Sequence, residues 1–213
     1  MKKLTTVLLL CIGFITYGQV IDYNNFDSEL AEKVLFEEFN KFRDTITIDG
    51  VGNKIDDLYP DQKLRRLIWS DNVRDLLAYP NNEVWKHYKD SVFHVNCKKF
   101  WLNPDNLEPF MEEYRAKTNH RVNKLTNIIR SENAFVLYGY KGDQILKRYP
   151  TYQSLAKYAI RSWDRSPSHR KAQRQRFYSI RTYNELQALM GHSIIYNENN
   201  NNVYIVMNFV FYR

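Results

Sequence analysis

The chain has 213 residues, of which 44% are hydrophobic and 15% aromatic, and carries a formal net charge of +7. That content supports a packed core rather than disorder, and the length suits one domain of ordinary size. The mild positive charge allows contact with lipid headgroups or anionic envelope glycans. With no binding motif for nucleic acid, that partner is set aside.

Residues 1–18 read as an export signal. Lys2 and Lys3 form a basic start, Val7 to Ile15 a short apolar run, and Thr16-Tyr17-Gly18 supplies small residues for cleavage near Gly18/Gln19. The apolar run is shorter than the roughly 20 residues a membrane helix needs, and no later segment is apolar enough, so no membrane span is expected. The expected location is secreted or periplasmic, and the expected state is a monomer. Lipidation at Cys11 is disfavoured because Leu10 before it is not small. After cleavage only Cys97 remains, so no internal disulfide can form. Cys97 reads as a small buried apolar residue, the alternatives being a reactive thiol or an intermolecular bridge.

Residues 19–28 form a polar lead-in, and 29–213 form the single folded domain. Ser28 is the expected cap of a first helix, whose apolar positions Ala31, Val34, Leu35, Phe39 and Phe42 follow helical spacing. Asp49 to Asn53 makes a turn. Leu64 to Ala78 carries a second helical pattern, with Ser70-Asp71 as a restart cap. Glu83 to Phe93 is a further helix, and Leu107 to Ala116 has helical character. Gly139 to Asp143 is a loop. Thr151 caps a strongly periodic helix with Tyr152, Leu155, Ala156, Ala159, Ile160 and Trp163 on one face. Ser166 is a good N-cap for the next helix, Pro167 suits its first position, and His169 falls in its first turn. The helix dipole there favours a neutral imidazole. Its alternative is a plain surface histidine. Met190 to Tyr196 and Val203 to Phe211 read as a hairpin joined by the turn Asn197 to Asn202. Helices around a small sheet give an α+β fold, a three-layer α-β-α sandwich.

The run Trp163-Asp164-Arg165-Ser166-Pro167-Ser168-His169-Arg170 follows Ser131-Glu132-Asn133 and precedes Gly191-His192-Ser193 and Val203 to Phe209. In that order, behind a first helical segment Ala31 to Arg43, these segments resemble the CAP superfamily (cysteine-rich secretory proteins, antigen 5, pathogenesis-related 1). The nearest likeness is to its bacterial, SCP-like extracellular branch. The resemblance covers most of the chain after the leader. It implies an α-β-α sandwich with a central cavity of histidines and acids. His169 matches the histidine of S-P-G-H-R and Glu132 the glutamate of G-E-N, with Asn133 beside it. His94 most resembles the first cavity histidine, with His87 in reserve. Trp163, Ser166 and Pro167 complete the structural motif. The second acid has no match, although Asp164 is near in sequence.

Two imidazoles and a carboxylate can hold Zn²⁺ with an open position for water, so zinc through His94 and His169 is the implied cofactor. The alternative is a buried hydrogen-bonded network with no metal. Ser131 and Ser168 stand where the family has glycines, and no nucleophile is evident. The expectation is a non-catalytic binding or interaction module. A metal-assisted peptide or ester hydrolase and a lipid or sterol binder are the alternatives. The basic run Arg161, Arg165, Arg170, Lys171, Arg174, Arg176 and Arg181 reads as a solvated face or as a dock for lipid headgroups or acidic glycans.

Overall fold

Helix α1 spans Ser28–Asp44 and buries Ala31, Leu35 and Phe39 along one stripe. The structure, a computed structural model, describes residues 18–46, 64–75, 112–113, 115–117, 128–137, 147–174, 188–199 and 201–212. The cap of α1 is Asp27, whose Oδ1 accepts from the Leu30 amide at 2.9 Å; Ser28 is the first helical residue instead. Both residue types cap well, and the aspartate carboxylate also suits the positive helix end. The lead-in is not merely polar: Ile21 and Tyr23 are buried in the main core.

The segment expected to be helical from Leu64 begins otherwise. Residues 64–67 are irregular and Ile68–Trp69 form a short strand, β1. Pairing with a neighbouring strand overrides the helical spacing there. Helical residues resume at 71–75, and Ser70 does cap them, its Oγ accepting from the Val73 amide at 3.1 Å. Residues 112–113 and 115–117 are helical as well.

Strand β2 is Ile128–Leu137. Helix α2, Tyr152–Arg165, starts with a reciprocal capping box between Thr151 and Ser154. All six residues of its predicted face are buried. A break at Ser166 leads into the short helix α3, Pro167–Gln173. Strands β3, Leu189–Asn197, and β4, Asn202–Tyr212, form the expected hairpin. In its turn Asn201 has φ 55°, a left-handed conformation that asparagine tolerates.

The four strands run in the order β1-β3-β4-β2, with β1 parallel to β3 and the other pairs antiparallel. Strand alternation sorts the sheet into two faces. Met190, Ile194, Val203, Ile205, Met207 and Leu137 join α1 and α2 in one hydrophobic cluster. Leu189, Ser193, Tyr204 and Val206 alternate with them and are also buried, outside that cluster. On this second face Gly191 lies against the helical residues 71–75. A Cβ at Gly191 would stand 2.4 Å from the Arg74 nitrogen and 2.7 Å from the Val73 carbonyl carbon, so only glycine admits so close an approach. Helical residues therefore cover both faces, and the fold is α+β in three layers.

Polar ties lock the layers. Glu32 of α1 is almost fully buried; its Oε1 accepts from the Ile194 amide at 3.2 Å and its Oε2 from Arg74 Nε at 2.9 Å. Asn40 exchanges two hydrogen bonds with the Leu67 backbone. Ser70 Oγ and Asn72 Nδ2 both donate to Glu113 Oε2, fixing Glu113 beside β1.

Candidate functional site

The site grows from the meeting of β2 with α3. Asn133 is 1% exposed, and its Nδ2 donates to the His169 carbonyl oxygen at 3.3 Å. This bond joins two sequence motifs 36 positions apart. Pro167 occupies the first helical position of α3, and Ser166 stands at the N-cap. The Ser166 side chain makes no capping bond, contrary to expectation; its hydroxyl faces that of Ser168 at 3.3 Å. His169 is the third residue of the helix and is half-buried.

Glu132 lies opposite Asn208 of β4, one position before Asn133. Neighbouring strand positions belong to opposite faces, so Glu132 and Asn133 occupy opposite faces of β2, which is an edge strand of the sheet among the described residues. What the structure brings to α3 from this motif is Asn133, through its bond to the His169 carbonyl. His94, His87 and Cys97 lie outside the described residues. For the implied zinc, His169 is the one member of the set with a described side chain. No three His, Cys, Asp or Glu side chains converge as metal ligands among the described residues.

Asp164 does not supply a second cavity acid. Both its carboxylate oxygens accept from Arg174, each at 3.1 Å, and Arg170 Nε lies 3.7 Å from Oδ1. These pairs brace the α2–α3 corner. Around it Arg161, Arg165, Arg170 and Lys171 are exposed, a basic rim beside the site.

Behind this edge, among the described residues, three buried side chains keep polar atoms unmatched: Asn133 at Oδ1, Gln173 at Oε1 and His192 at both ring nitrogens. His192, which the sequence reading passes over in favour of His169, is a buried polar residue of the core. It is fully buried between Met190 and Ile194 on the core face, with its ring centroid 5.8 Å from that of Trp69. The pairing register sets Asn133, Met207 and His192 in one row across the sheet. Strand spacing separates the outer two by about 10 Å, too far for a direct bond. The signal in the sequence is a polar residue on the apolar phase of β3.

Burial pushes the His192 imidazole down from 6.5 to about 3. The folded protein therefore keeps it neutral while an unfolded chain would protonate it. Its contribution is complete above pH 6.5 and is lost as pH falls below that value. Between pH 6.5 and 5 the loss should reach about 1–2 kcal/mol. Urea denaturation of wild type and His192→Leu at both values checks this, the variant lacking that share of the decline. The comparison is needed because burial raises the Glu32 carboxyl, despite its Arg74 bonds, giving a slope of opposite sign. Equal declines in the two proteins would contradict the assignment.

No family model matches the sequence, and no curated protein matches it. Among solved structures, an outer surface protein from Borrelia burgdorferi is similar, with a TM-score of 0.45 and 12% identity over 92% of this chain and 99% of that one. The structure of BmVAL-1 is similar with a TM-score of 0.40 and 11% identity, over 91% of this chain and 79% of that one. Overlap at this level assigns no family. No helix among the described residues is long and apolar enough to cross a membrane.

Proposed function

We propose that the chain is an exported CAP-like domain acting as a non-catalytic binding module. Its recognition surface is the sheet edge at Glu132 together with the start of α3 at His169, with the buried Asn133 tying β2 to that helix from beneath. The observation that carries this reading is the hydrogen bond from Asn133 to the His169 carbonyl. It ties together the two motifs on which the sequence resemblance rests. The exposed basic rim of Arg161, Arg165, Arg170 and Lys171 favours an anionic partner, a lipid headgroup or an envelope glycan. Asp164 is held by two arginines, which removes the nearest candidate for a second acid from general acid–base work.

Turnover assays distinguish binding from catalysis. The purified domain should give no turnover of peptide or ester substrates with or without added zinc. Robust zinc-dependent cleavage that disappears in Glu132→Gln would replace the binding module with a metal-assisted hydrolase.

A further inference from the structure

We propose that Gln19, once exposed by leader cleavage, closes into an N-terminal pyroglutamate lactam that seals the start of the fold. This rests on the export reading above. The first residues of the mature chain are built into the domain. The Gln19 carbonyl accepts from the Tyr152 amide at 3.1 Å, and the Ile21 amide donates to the Pro150 carbonyl at 2.9 Å. Val20 bridges Thr151 in antiparallel fashion. These bonds hold Ile21 and Tyr23 in the core, each only 5% exposed.

Tyr152 is the first residue of α2, and its N–H is one of the amides a helix leaves without an internal partner. Gln19 supplies that partner. Cleavage would therefore place a new α-amine one residue from the positive end of a 14-residue helix. The dipole there disfavours an ammonium and favours the free amine, the nucleophilic form. The neighbouring acids are engaged elsewhere: Asp22 Oδ1 accepts from the Asn24 amide and Asp27 Oδ1 from the Leu30 amide. Gln19 itself is exposed, so its side chain has room to fold back.

The amine attacks the δ-carbon of its own side-chain amide. The N–Cδ bond forms, the Cδ–Nε2 bond breaks, and the amine proton leaves with the departing nitrogen as ammonia. No oxidant or co-reactant is required. The product is neutral, which removes the charge from the helix end. The backbone carbonyl of Gln19 is untouched, so its bond to Tyr152 survives. The lactam also blocks aminopeptidases, whose removal of Gln19 would strip the Tyr152 amide of its acceptor.

The test is the intact mass and N-terminal sequence of the full chain after export through its own leader. The protein is then held in neutral buffer until a synthetic peptide of residues 19–24 has cyclised. The expected product is residues 19–213 lighter by one ammonia, with an N-terminus blocked to sequencing. Gln19→Ala should be cleaved at the same bond and remain open to sequencing. Cleavage at Gly18/Gln19 with the amine still free would overturn this inference and leave the export reading intact. Retention of the leader would overturn both, and cleavage at another bond would overturn this inference alone.

Discussion

Trp163→Ala is expected to cost about 3–5 kcal/mol of folding stability. The indole is 1% exposed and heads the largest fully buried side chains. It is the last buried residue of the α2 stripe and shares the cluster with Ala159, Ile160 and the sheet residues of the core face. Its carbonyl accepts from the Ser166 amide at 3.1 Å, so the residue also sets the corner where α2 gives way to α3. Truncation would leave a void that close-packed neighbours fill only in part. Urea denaturation reads the effect as a lower midpoint with a similar slope. Trp163→Phe should recover much of the loss. An unchanged midpoint in the alanine variant would refute the burial.

Arg43→Ala should cost a similar amount, about 3–5 kcal/mol, for a different reason. Arg43 is 0% exposed yet charged. Its Nε and Nη2 donate to the Arg65 carbonyl at 3.2 and 3.1 Å, and Nη1 donates to the Gln173 carbonyl at 2.8 Å. Gln173 ends α3, so the guanidinium sits at the negative end of that helix. One side chain thereby ties the end of α1 to the stretch before β1 and to the helix that carries His169. Alanine leaves a cavity and buried carbonyls without their donor. Arg43→Lys should restore only part of the stability, because a single ammonium does not reproduce the fork. Denaturation of both variants measures this, and amide exchange should rise more in α3 than in β4. Wild-type stability in the alanine variant would contradict it.

The elements legible in the sequence are those with strong local signals. Helix α2 has a capping residue and an apolar face whose spacing leaves one solution. The β3–β4 hairpin has alternating apolar runs and an asparagine turn. Elements set by tertiary pairing are not legible: Leu64, Leu67 and Ile68 have helical spacing, but Ile68–Trp69 add to the edge of β3. Arg43 continues the spacing of Leu35 and Phe39, which marks it for the core, yet its partners lie on segments far away in the chain. His192 is visible as a polar residue in an apolar alternation, but that pattern alone does not reveal that its nitrogens are left unmatched. For the site, no periodicity links Glu132 and Asn133 to His169. Only the family resemblance places them together; the Asn133–His169 bond joins the two motifs through a different residue.

Calorimetric zinc titration of wild type, His169→Ala and Glu132→Gln tests most directly whether Glu132 and His169 share one site, with the metal as a probe of converging donors. The account predicts weak binding to wild type that each substitution reduces and that fades as pH falls through the histidine range, where protons compete for the same nitrogens. Identical affinities in the three proteins, or no binding to wild type, would contradict it.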